Sequence, residues 1–205
     1  MRNSARRLIW TVSVVCTLGA ADLLAPTVSV AGADPVGSTP STGINTCSVS
    51  ALSQPFAPWL DYAEYELAPG GDFESSSWTL AGGAERVAGS EPFAVTGTLG
   101  SSSLSLPPGS SAQSPLTCVD VTDPAIRFFV AGTGSVAVNV VDGSSVIPVG
   151  VVASGGGWAP TPVVLTNSAV LGAPSGGTAQ VAVAFSGVSG NPRVDDVFVD
   201  PWSRG

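Results

Sequence analysis

The sequence predicts an all-β domain, a sandwich or a barrel, and three observations carry that expectation. Its apolar residues come in short valine-rich runs separated by glycine, serine and proline, which is the spacing of strands and turns. One run, Thr178–Phe185, alternates plainly: Ala179, Val181, Val183 and Phe185 share one face against Gln180, Ala182 and Ala184 on the other. No stretch sustains a helical period, and no repeat marks a propeller or solenoid.

From the amino end, residues 1–33 read as an export signal. Arg2, Arg6 and Arg7 make the positive start, Leu8–Ala21 the apolar run, and Ala31, Gly32 and Ala33 the small residues of a cleavage position, so the mature chain is expected to begin at Asp34. The run is 14 residues long and Asp22 interrupts its continuation, whereas a bilayer-spanning helix needs about 20 apolar residues. The expectation is therefore a secreted protein with no stable membrane insertion after cleavage. Cys16 follows Val14 and Val15 instead of the small residue a lipoprotein signal places before its cysteine. Arg6-Arg7 also resembles a twin-arginine signal, although the general secretory route is the expected one.

Residues 34–43 have the composition of a flexible linker, and the folded domain is expected over residues 44–202. Its first segment, Trp59–Leu67, holds the best helical spacing in the chain, but Pro58 and Pro69 confine it to a loop or a short helix. Strands are expected at Trp78–Leu80, Phe93–Leu99, Ser103–Leu106, Ile126–Ala131, Ser135–Val141, Ser145–Val152, Pro162–Leu165, Thr178–Phe185 and Arg193–Val199. A domain of this length buries enough of its surface to need no metal or partner to hold it.

Composition excludes much chemistry. The chain has no histidine and no lysine; all seven basic residues are arginines. Imidazole-based triads, histidine metal sites, lysine Schiff bases and the lysine-dependent phosphate loop are thereby removed. The mature chain keeps four arginines against fourteen acidic residues, a net charge of −10 that offers nucleic acid no basic stripe. Removing the signal leaves two cysteines, Cys47 and Cys118, the even number an oxidising compartment favours, and one disulfide between them is expected.

Two segments carry a family likeness: Pro69-Gly-Gly-Asp-Phe-Glu74 followed by Trp78, and Arg193-Val-Asp-Asp-Val-Phe-Val-Asp200. Together they resemble the carbohydrate-binding modules of the galactose-binding-like jelly-roll type. The resemblance implies an antiparallel jelly-roll β-sandwich in which Gly-Asp-Phe-Glu lies on an opening strand beside the closing strand. It also implies a possible structural calcium ion at Glu74 and Asp195, ligands of the hard-oxygen kind calcium takes. The alternative is that Asp195 and Asp196 only solvate a strand end.

Sugar binding asks for aromatic faces that pack on a pyranose beside polar groups that take its hydroxyls. The candidates are Trp158, Trp59, Tyr62 and Tyr65, with Trp202. Trp158 is expected on a loop, between Gly155-Gly156-Gly157 and Ala159-Pro160. Phe56, Trp59, Tyr62 and Tyr65 form either an extra binding surface or a segment that seals one end of the sandwich, with sealing the favoured reading. Gly132, Gly134 and Ala137 loosely match a dinucleotide fingerprint, but a β-branched run follows where a helix is required. The sequence thus reads as a secreted, non-catalytic carbohydrate-binding-like module for extracellular or cell-envelope glycans. A structural or protein-interaction domain is the alternative, and a carboxylate-based glycan hydrolase or lyase comes third.

Overall fold

A computed structural model describes residues 51–120, 124–166 and 178–201. The chain divides into two units, Met1–Gly43 and Ile44–Gly205, and every described residue belongs to the second. The export signal, the linker, Cys47 and Trp202 lie outside the described residues.

The described chain is nearly all strand. Its elements are β1 (Leu52–Ser53), a single 3-10 turn (Ala57–Trp59), β2 (Tyr65–Leu67), β3 (Thr79–Ala81), β4 (Glu85–Ala88), β5 (Ser102–Ser105), β6 (Ser111–Gln113), β7 (Thr117–Asp120), β8 (Ala125–Asp142), β9 (Ser145–Pro160), β10 (Val164–Leu165) and β11 (Thr178–Asp200). Every pairing is antiparallel, and β11 is the hub, joined to β2, β5, β6, β7 and β8. Among the described residues the long β9 pairs only with β8.

Three of these strands are too long to stay flat around one core. Phe128 lies ten residues before Val138, which pairs with Phe185, so a straight β8 would hold Phe128 and Phe185 roughly 33 Å apart. Their ring centroids are 4.9 Å apart. The hydrogen-bonded sheet must therefore bend back over its own apolar face, which makes it a two-layered sandwich. Gly134 marks the bend: its φ is +114°, and a Cβ there would stand 1.8 Å from the Ser189 carbonyl oxygen, a contact only glycine avoids. Register shifts in the β8–β11 pairing fall at Gly187/Ser189 and Asp195/Phe198.

Alternation then sorts the residues. Ile126, Phe128, Val130, Val136, Val138 and Val140 of β8 and Val181, Val183, Phe185, Val194, Val197 and Val199 of β11 point into the main core, with Trp78 stacked on Phe185. Phe129 and Phe198 point the other way and meet Phe56 and Tyr65 in a second, smaller cluster. The segment before β2 is thus laid across the outer face of the sheet.

Several expected elements change. Ile126–Ala131 and Ser135–Val141 are one strand, as are Thr178–Phe185 and Arg193–Val199, because the glycines between them bend the ladder without ending it. Phe93–Leu99 is a loop: the Glu91 carboxylate accepts the Phe93 and Val95 N–H groups, and Ala94 adopts φ +52°. Gly-Asp-Phe-Glu is a turn and not a strand, with Gly71 N–H donating to Ala68 O and Phe73 N–H to Gly70 O. The turn nevertheless lies beside the closing strand, since Ala68 N–H donates to Val197 O at 2.9 Å and Val197 N–H to Gly71 O at 3.0 Å.

Candidate functional site

The outer face begins with the aromatic cluster. Phe56 stacks near Phe129 at 5.4 Å and meets Tyr65 and Phe198 edge-on at 5.1 and 5.5 Å. Trp59 and Trp158 are half-buried against the cluster. Phe93 meets Trp59 edge-on at 5.0 Å. Tyr62 is 63% exposed.

Tyr65 does not fit the role of sugar platform. It is 1% exposed, and its hydroxyl donates to Asp61 Oδ2 at 2.8 Å. Burial and that neighbouring carboxylate push the phenol well above its ordinary range. The same Asp61 oxygen accepts from Arg127 Nη1, whose guanidinium lies 4.4 Å from the centre of the Phe56 ring and donates through Nε to Thr161 O at 2.8 Å. The segment before β2 is thereby pinned to β8 by an ion pair as well as by its rings.

Trp158 sits on a strand, not a loop. Gly155 and Gly156 pair with Thr133 and Gly132, which carries β9 on to Pro160. The Arg193 guanidinium carbon stands 5.6 Å from the Trp158 ring centre. Arg193 also belongs to a cross-strand row: Glu85 on β4 pairs with Ser105 on β5, Ser105 with Arg193 on β11, and Arg193 with Ala131 on β8. Directly opposed residues of antiparallel strands share a face, so an acid, a hydroxyl and a guanidinium stand in line beside an indole. Arg193 was not among the residues the sequence singled out. Its signal was there: it shares strand parity with Asp195 in a chain with only seven cations, all of them arginine.

The two expected calcium ligands are placed differently from one another. Glu74 is exposed and caps a turn: Oε1 accepts the Ser101 and Ser102 N–H groups at 2.6 and 2.8 Å, and Oε2 accepts the Ser101 hydroxyl at 2.7 Å. The Ser101 hydroxyl and backbone bonds hold its carboxyl below the ordinary range. Asp195 is fully buried and accepts the Glu91 N–H at 2.8 Å. Burial raises its pKa to about 6. Its neighbour Asp196, also buried and facing Asp195 and Glu91, is driven up further by desolvation and by the repulsion of those two acids. Ser90 stands between the two ligands: its side chain bonds Asp195, and Ser90 Oγ and Glu74 Oε1 lie 2.7 and 2.9 Å from where a Cβ on Gly100 would sit.

Among the described residues no group of three or more acidic or cysteine side chains is arranged to hold a metal ion. The grouped Glu91, Asp195 and Asp196 are all buried, so this cluster presents no carboxylate pair to a glycosidic bond. Cys118 is half-buried on β7, while its expected partner lies outside the described residues.

No family model matches the sequence, and no curated protein matches it. Solved structures do. The C-terminal CBM6 of LamC, a laminarinase of the marine Zobellia galactanivorans, is similar at 14% identity and a TM-score of 0.39, over 65% of this chain and 95% of that one. TmCBM61, solved with β-1,4-galactotriose, is similar at 19% identity and a TM-score of 0.39, over 63% and 94%. The K1 cleaved adhesin domain of Lys-gingipain from Porphyromonas gingivalis is similar at 14% identity and a TM-score of 0.43, over 64% and 93%. Against tailspike protein 4 of bacteriophage CBA120, at 14% identity and a TM-score of 0.38, 64% of this chain covers 20% of that one.

Proposed function

We propose that this protein is a secreted, non-catalytic module that holds a glycan against the outer face of its sheet. The observation that carries the reading is the pair of half-buried indoles, Trp59 and Trp158, packed at the rim of one aromatic cluster. Each is held by its packing and keeps ring surface for the apolar face of a sugar, at little cost in conformational entropy. Arg193 stands beside Trp158, and Ser105 and Glu85 continue the same cross-strand row away from it, to take hydroxyl groups along the chain of a longer glycan. Tyr62 is a third ring at this end of the molecule, free of the burial that removes Tyr65.

The test is retention of the full chain on a panel of insoluble and gel-embedded polysaccharides. Trp158→Ala is expected to weaken retention about tenfold or more, with Trp59→Ala somewhat less severe. Failure of the wild-type chain to bind any polysaccharide overturns the reading. We also propose, on the hard oxygens of Asp195 and Glu74 to either side of Ser90, that calcium binds there. Addition of calcium after chelation would then raise the melting temperature by several degrees, and an unchanged melting curve removes the ion from the account.

A different observation favours a protein-interaction role. Val151, Val163 and Leu165 are exposed around a groove that Val149–Ala153 of β9 and residues 162–165 line together. Self-association of the full chain that is lost on Val151→Asp, with no retention on any polysaccharide, would favour that role over glycan binding.

A further inference from the structure

Arg193 is held as a rigid fork with only Nη1 uncommitted among the described residues. Its Nε donates to Ser103 Oγ at 3.0 Å, and its Nη2 to Ala88 O at 2.8 Å, Gly89 O at 2.5 Å and Ser103 Oγ at 2.5 Å. All of these acceptors are neutral. Nη1 donates to nothing among the described residues, whereas the guanidinium of Arg127 has the Asp61 carboxylate as its counter-ion. Gly89 is what lets the fork lie so close to the backbone: a Cβ there would approach Nη2 to 3.2 Å and Nη1 to 3.6 Å, at a φ of +96°. The Trp158 ring lies on the same guanidinium, 5.6 Å from centroid to carbon. Among the described residues no carboxylate forms an ion pair with this cation.

We infer that the site around Trp158 and Arg193 selects a glycan bearing a carboxylate, that is, a uronic-acid residue; this rests on the glycan-binding reading above. A planar guanidinium fixed by neutral acceptors keeps its full charge for the ligand, and a sugar carboxylate is the partner that matches that charge and accepts from the remaining Nη1 donors. The indole beside it takes the apolar face of the same or the adjoining pyranose. Because the protein is strongly acidic overall, it offers anions no general attraction, so the preference must come from this one residue.

The experiment is calorimetric titration of the full chain with oligogalacturonate, with the same oligosaccharide after reduction of its carboxyl groups to alcohols, and with a sulfated neutral oligosaccharide. The carboxylate form is expected to bind about tenfold more tightly than the reduced form, and Arg193→Gln to erase that difference. Arg193→Lys, which keeps the charge without the fork, should recover only part of it. Should Arg193→Gln fail to fold, Gly89→Ala, which displaces the guanidinium, and the wild-type ratio between the two ligand forms decide the matter. Equal binding of both forms overturns this inference and leaves glycan binding standing. Preference for the sulfated chain overturns the carboxylate assignment, and binding of none of the three, with no retention on the polysaccharide panel, overturns both.

Discussion

Arg127 shows how one side chain can fix a whole segment. Its stem lies among buried aromatics, its Nε is held by a backbone carbonyl, and its charge is met by Asp61, which also accepts from Tyr65 and from the Ala63 N–H. Burial alone would raise the pKa of Asp61, but those bonds and the guanidinium hold it below the ordinary value. Asp61→Ala leaves a buried guanidinium and a buried phenol without their acceptor, and should cost about 3 kcal/mol in urea unfolding. A loss under 1 kcal/mol would mean that the rings alone hold the segment. Asp195 and Asp196 set a pH dependence of opposite kind. Their pKa values are raised in the folded state, so between the ordinary carboxylate range and somewhat above pH 6 the native protein holds protons that the unfolded chain has released. Stability from these two groups therefore falls as pH rises through that window, while Asp61 and Glu74, with lowered values, contribute stability that is lost only as pH falls below about 4. In the presence of chelator the urea midpoint should be higher near pH 5 than near pH 8. The reverse order would show that the two aspartates are not buried together.

Among the elements, the ones legible in the sequence are those that alternate or run in β-branched residues toward the core. Thr178–Phe185 is the plainest case, and its inward residues are the ones read from the alternation. Strands β4 and β6 escaped notice because Glu-Arg-Val-Ala and Ser-Ala-Gln are short and have only one or two apolar positions each. The joining of four expected strands into β8 and β11 was also hidden, since glycine reads as punctuation in a sequence whether it ends a strand or bends it. Gly155-Gly156-Gly157 misled in the same way and placed Trp158 on a loop. Gly134 gives the matching test: Gly134→Ala introduces a Cβ against the Ser189 carbonyl at a positive φ, and should destabilise the domain by about 3 kcal/mol or more, measured by chemical unfolding. If the substitution costs less than 1 kcal/mol, the bend is made elsewhere.

For the molecule as a whole, the nearness of the two terminal motifs was readable, since Val197 N–H donates to Gly71 O and Ala68 N–H to Val197 O where the resemblance puts the two segments side by side. The candidate site was only half readable. Aromatic residues announce themselves in a sequence, but whether a ring is sealed in, like Tyr65, or left at a rim, like Trp59, is decided by neighbours far along the chain such as Phe129 and Phe198. The disulfide proposed between Cys47 and Cys118 also belongs at this scale. It would close a loop of 71 residues, for which the chain-entropy model gives about 4 kcal/mol. Mass spectrometry of the exported protein without reductant should find neither thiol open to alkylation; a labelled Cys118 would remove the crosslink.

Strands β8 and β11 run uninterrupted from one layer to the other, so neither layer has a backbone ladder of its own that survives loss of its mate. Melting is therefore expected as a single transition seen alike by tryptophan fluorescence and far-ultraviolet dichroism. A sugar resting on Trp158 would then protect amides as distant as those of β7 from hydrogen exchange, because releasing them requires opening the entire body.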